Sequence, residues 1–208
     1  QEAYDYFGLE AVSAKSITDA FPEDNGDIVL EVNSNGGLVT VGSEIYTALK
    51  SYSGNVTVEV TGMAASAASV AIMGADKVLI SPTAQIMIHK ALYGYVSGNS
   101  DDLDKASNAL KSSDRAIVNA YVAKTGLSEE EILDMMRNET YMSASEAVEK
   151  GFADEVMSFD DVGAVASLEN GLLPQAVIDD FYANRSKRKS EIKNMLREIE
   201  KEELLKGL

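Results

Sequence analysis

"TGMAASAASVAIMGADK", residues 61–77, decides how this chain is to be read. Its Ala, Val, Ile and Met suit a buried helix, yet Ser66 and Ser69 interrupt it, and a helix packed in an apolar core has no need of a hydroxyl. Just upstream, "NVTVEV" (55–60) alternates as a strand does. The spacing predicts a turn at "TGMA" and a helix from Ala65 to about Ala75. Ser66 then stands where a parallel strand hands over to a helix. In open α/β sheets, ligands gather at such carboxyl ends. Free backbone N–H groups of a helix's first turn lie beside that hydroxyl and suit a developing oxyanion. Gly62 and the alanines keep bulk away, so a substrate backbone has room to approach.

Working outward, "IVLEVN" (28–33) reads as a buried strand with a turn at "SNGG" after it. Val41, Ile45, Ala48, Leu49 and Tyr52 follow at helical spacing. "KVLIS" and "QIMIH" (85–89) are two further strands, one on each side of Pro82. Strand, helix, strand, helix, strand in succession implies βαβ units and a largely parallel sheet. Leu103, Ala106, Leu110, Ile117 and Tyr121 recur at helical intervals and predict a long amphipathic helix over 100–124, reached through "YVSGNS" (95–100), which reads as a mobile connector. "SEEE" (128–131) and "SASE" (143–146) are capping boxes that open two shorter helices, the second stopping at Gly151. Ile192, Met195, Leu196 and Ile199 mark a last charged helix whose apolar stripe is too narrow to fold alone.

Composition excludes several classes of function. The 208 residues carry a net charge of −16, which argues against general nucleic-acid binding by the body. The charge is uneven: residues 185–208 hold eight basic and five acidic side chains (+3), residues 1–184 ten and 29 (−19). There is no cysteine and a single histidine, so disulfides, thiol nucleophiles and multi-His metal centres are out. No run of about 18 apolar residues is present and no signal-like leader is visible, which points to a cytoplasmic protein.

His89 ends the strand "QIMIH", again at a carboxyl end, and "SNGG" (34–37) ends a third strand. Taken alone, a strand-end histidine is more often packed structure than a base, and "SNGG" is more often an ordinary turn than an anion-binding loop. All three features nevertheless share one edge of one predicted sheet.

At this point the residues resemble a family. "GMAASAAS" (62–69), "MIHKALYG" (87–94), "VNSNGG" (32–37) and "YMSASEAVEKGFADEV" (141–156) together look like a ClpP-type serine protease, over about residues 4–157. Within it, the chain resembles the ClpP-like enzymes of phages and prophages assigned to head maturation. The resemblance implies a ClpP/crotonase-like spiral of βαβ units with a long handle helix. It places a nucleophile on Ser66, a general base on His89, and oxyanion donors on the backbone N–H groups of Gly37 and Ala67. Ser69 falls where the family packs a residue within the helix. The family's third triad member is an Asp two residues before the aromatic of the segment here reading "YMSA"; that position holds Glu139, with Asp134 a competitor on the helix 129–137. Asn35 stands where the family usually has Pro, a change that a turn tolerates.

The resemblance also implies a ring-shaped homo-oligomer interlocked through the helix 100–124, acting on protein substrates, with capsid or scaffold proteins as partners, and with no metal, organic cofactor, nucleic acid or membrane. Only about two dozen residues precede "IVLEVN", so an ATPase unfoldase is not expected as a partner. The chain divides into a protease domain, 1–158, and a helical C-terminal extension, 159–208, read as an arm on a neighbouring subunit; its basic run "RSKRK" (185–189) reads as a solvated face. Four readings compete with capsid maturation. A general ClpP-type degradative peptidase would share the same site. A crotonase-fold acyl-CoA enzyme would not need Ser66 or His89. A Ser–Lys peptidase would use Lys90, but neighbouring strand residues point to opposite faces, so His89 and Lys90 cannot both reach Ser66. A shell or scaffold protein would keep the fold without turnover.

Overall fold

The structure, a computed structural model, describes residues 11–158. In chain order these form α1 (Ala14–Thr18), β1 (Ile28–Ser34), α2 (Val39–Ser51), β2 (Val56–Ala65), α3 (Ala67–Ile72), β3 (Lys77–Ile80), β4 (Gln85–Ile88), α4 (Ser100–Thr125), α5 (Glu129–Arg137), β5 (Thr140–Ser143), α6 (Ala144–Glu149) and β6 (Glu155–Val156). The expected order of elements is present over these residues. The last charged helix and the arm over 159–208 lie outside the described residues.

β2 organises the sheet. Val56, Val58 and Val60 are fully buried, as the alternation requires. β1 pairs with β2 in parallel, and β2 pairs in parallel first with β3 through residues 57–60 and then with β4 through 63–65. β6 continues beyond β3, and β5 runs antiparallel to β4. The result is a mixed α/β fold in which one strand bridges successive βαβ units.

That bridging overturns the turn expected at "TGMA". The strand runs on to Ala65 because its backbone exchanges β3 for β4 as partner instead of leaving the sheet. A register shift between Val32 and Ser34 absorbs the bend, and the Asn33 side chain accepts the Met63 N–H at 3.1 Å. The helix that follows is correspondingly shorter than expected, ending at Ile72 in a tight turn through Gly74.

β1 is the other departure. Its residues alternate between half-buried and exposed, with Val29 64% exposed, because successive side chains point to opposite faces and only one face of this strand is covered. α2 turns Ile45 and Leu49 into the core and meets α3 closely at Gly42, where a Cβ would collide with the Ala67 carbonyl oxygen. α4 is capped at both ends, by the Asn99 side chain and by Gly126 at φ 72°. Of its expected stripe only Ile117 and Tyr121 enter the core; Leu103 stays 45% exposed. Both later capping boxes form, and Gly151 at φ 79° follows the end of α6.

Candidate active site

Ser66 sits at the junction of β2 and α3. Its N–H donates to the Met87 carbonyl on β4 at 2.9 Å, which extends the β2–β4 ladder by one step. His89 comes two residues after Met87, so the ladder that holds Ser66 also brings the imidazole alongside. His89 Nε2 lies 2.6 Å from Ser66 Oγ. The sequence separation is 23 residues, and the shared sheet edge is what closes it.

The turn that presents the hydroxyl is strained. Ser66 has φ 54° and ψ −126°, a conformation that side chains rarely adopt and that costs on the order of 1–3 kcal/mol. Sharp strand-to-helix turns of this kind lift a serine hydroxyl clear of the sheet. Ala67, the first residue of α3, has no acceptor for its N–H within the helix. Gly36, at φ 100°, lies against this turn; a Cβ there would come within 2.6 Å of Ser66 Cβ and 3.0 Å of the Ala67 nitrogen. Gly36 is thus the residue that lets the "SNGG" loop close on Ser66, a role that the motif alone does not distinguish from that of Gly37. Gly37 follows it in open space.

The acidic residue behaves differently. Glu139 is exposed, has φ 46°, and shares no hydrogen bond or ion pair with His89 among the described residues. Register nevertheless places it nearby. The antiparallel β4–β5 pair ends with Ile88 opposite Thr140, and His89 and Glu139 are the next residue on each side. Asp134 is engaged elsewhere, accepting from Arg137 at 2.7 Å and from Asn138 at 3.2 Å on the surface of α5. Lys90 turns toward α4: its Nζ lies 3.5 Å from Asp114 Oδ2, and the adjacent Ala91 N–H donates to Asp114 Oδ1 at 2.9 Å. Asp114, 5% exposed, therefore anchors the chain directly after His89. No local sequence signal marks it, because its partners lie 23 residues or more away.

Ser69 faces inward and is fully buried, hydrogen-bonded to the Ser66 carbonyl and to Tyr121 on α4. The two hydroxyls of the opening stretch therefore occupy opposite environments, one paired with an imidazole and one sealed in the core.

The Clp protease family model matches residues 15–160. The proteolytic subunit 1 of the ATP-dependent Clp protease of Chlamydia trachomatis serovar D is 34% identical over 168 residues, covering 75% of this chain and 88% of that protein. The corresponding subunit of Chlamydia muridarum is 37% identical over 139 residues, covering 65% and 72%. The proteolytic subunit of Deinococcus radiodurans is 34% identical over 134 residues, covering 63% and 65%. The chain belongs to the Clp protease family, and it is accordingly a peptidase by family.

Proposed function

We propose that the protein is a ClpP-type serine endopeptidase in which Ser66 is the nucleophile and His89 the general base. The observation that carries this reading is the 2.6 Å approach of His89 Nε2 to Ser66 Oγ at a strained strand-to-helix turn. His89 takes the Oγ proton as the oxygen attacks the carbonyl carbon of a substrate peptide. The tetrahedral oxyanion rests on the N–H groups of Gly37 and Ala67. As the intermediate collapses, His89 returns the proton to the leaving amine, and an ester remains on Ser66. Water, deprotonated by the same imidazole, attacks that ester and releases the acid. Glu139 is the proposed third member, reaching the other ring nitrogen of His89 to hold its orientation; the β4–β5 register supports the placement.

A fluorophosphonate probe tests the nucleophile. The wild-type protein is expected to be labelled at Ser66 and the Ser66→Ala variant not at all, whereas a crotonase-type enzyme would keep its activity in Ser66→Ala. Lys90→Ala is expected to retain labelling and His89→Ala to lose it; the reverse pattern would support the Ser–Lys reading. Against that reading stands the engagement of Lys90 with Asp114.

Assembly and biological setting belong to the same proposal. The exposed apolar side chains Leu92, Tyr93, Tyr95 and Val96, with Leu103 at the start of α4, suit cover by further copies of the chain in a ring. The named relatives are proteolytic subunits of an ATP-dependent protease, which favours general proteolysis in the cytoplasm. Maturation of a phage or prophage capsid is the narrower alternative, supported by the motif resemblance alone. Co-expression with capsid and scaffold proteins separates the two: cleavage of those proteins without an added ATPase would support the capsid role.

A further inference from the structure

Ser69 and Tyr121 form a buried pair that the catalytic proposal leaves unused. Ser69 Oγ lies 2.6 Å from the Ser66 carbonyl oxygen and 2.8 Å from Tyr121 Oη. A serine hydroxyl has one proton and a carbonyl oxygen only accepts, so that proton goes to Ser66. Tyr121 must then donate to Ser69. The direction is therefore settled: the phenol donates to Ser69 Oγ, which donates to the Ser66 carbonyl. Tyr121 is 1% exposed and its ring packs on Phe152 with centroids 5.6 Å apart. Burial holds its phenol well above the ordinary tyrosine value, with the Ser69 bond pulling weakly the other way, so it remains a donor at any working pH.

The Ser66 carbonyl also accepts from Ser69 N–H at 3.0 Å and Val70 N–H at 3.3 Å. This carbonyl belongs to the same planar peptide unit as the Ala67 N–H. Hydrogen bonds accepted at one end of an amide polarise it and strengthen the donor at the other. They also fix the plane, and hence the direction in which Ala67 N–H points.

We propose that Ser69 and Tyr121 are positioning residues that orient and polarise the Ser66–Ala67 peptide as an oxyanion donor. The long helix α4 thereby reaches the oxyanion donor through the Tyr121 phenol, in addition to its Asp114 clasp on the chain after His89. The inference rests on Ser66 being the nucleophile.

The test is the kinetics of fluorophosphonate labelling, with kinact and KI measured separately. During labelling Ser66 Oγ bonds to phosphorus, fluoride leaves, the serine proton passes through His89 to solvent, and the phosphoryl oxygen occupies the oxyanion position. Ser69→Ala is expected to lower kinact about tenfold and Tyr121→Phe about threefold, both with unchanged KI and an unchanged shape of the pH profile. The double variant should be no slower than Ser69→Ala, because the two act in series. Thermal unfolding distinguishes positioning from stability. Ser69→Ala strands a buried phenol and should lower Tm, whereas the double variant removes both polar groups and should recover Tm without recovering kinact. A kinact that recovers along with Tm, or a folded Tyr121→Phe that labels at the wild-type rate, overturns the inference. Failure of the wild-type protein to label at Ser66 overturns the nucleophile assignment and the inference with it, and is seen before any variant is made.

Discussion

Glu139 combines a side chain proposed for catalysis with a backbone that glutamate does not favour, at φ 46°. Left-handed conformations cost a Cβ-bearing residue roughly 1 kcal/mol, less for asparagine. Glu139→Asn should therefore give two changes of opposite sign. Unfolding free energy is expected to rise by about 0.5 kcal/mol in urea titrations, while phosphonate labelling slows by about 10- to 100-fold. Unchanged labelling would make Glu139 a surface residue of the α5–β5 turn. Ser66, at φ 54°, shares the strain but has neighbours that hold it there: the Met87 carbonyl on its amide, Ser69 on its carbonyl, and Gly36 leaving room beside its Cβ. Strain that the surroundings overdetermine is characteristic of functional turns.

Among the elements, α5 and α6 show how local chemistry is written into the chain. Ser128 with Glu131 and Ser143 with Glu146 each form a reciprocal cap, and both patterns are readable as Ser-x-x-Glu. Both glutamates sit below the ordinary carboxylate range, mainly because the cap serine's hydroxyl donates to them, with the cap backbone N–H next. A carboxyl with a depressed folded pKa stabilises fully above its unfolded value and loses that contribution as pH falls through the folded one. Glu131→Gln combined with Glu146→Gln should thus lower Tm near neutral pH, and the gap from wild type should close on acidification below the ordinary glutamate range. Circular-dichroism melts across pH measure this; a gap independent of pH would mean that the charge contributes nothing. β2 was harder to read. Its first half alternates plainly, but "TGMA" carries the Thr and Gly of a turn, and only the arrival of β4 as a new partner keeps it in the sheet.

At the scale of the whole molecule, Asp154 ties three separate parts together. Its Oδ2 accepts from Val78 N–H on β3 and from Lys124 Nζ on α4, both at 2.6 Å, just before β6. Asp154→Ala leaves the Val78 N–H and Lys124 without their partner; with the Asp154 side chain 40% exposed, it is expected to cost about 1–2 kcal/mol of unfolding free energy in urea. A loss under 0.5 kcal/mol would show that water replaces the carboxylate freely. The order of β1–β4 with the helices α2 to α6, the caps of α5 and α6 and the placing of His89 at a strand end are legible in the residues, because each depends on neighbours a few positions away; α1, β5, β6 and the shift of the turn from "TGMA" to Ser66 are not. Resemblance to a family then grouped Ser66, His89, Glu139, Gly37 and Ala67 into one site. What the tertiary structure decided were the relations between distant residues: the 2.6 Å meeting of Ser66 and His89, the exposure of one face of β1, the clasp of Asp114 on the chain after His89, and the seating of Tyr121 on Ser69. These depend on how β2 exchanges partners and on which face α4 lays against the sheet. Local propensity carries no record of either, since both are settled only when the apolar faces close on one another and exclude water.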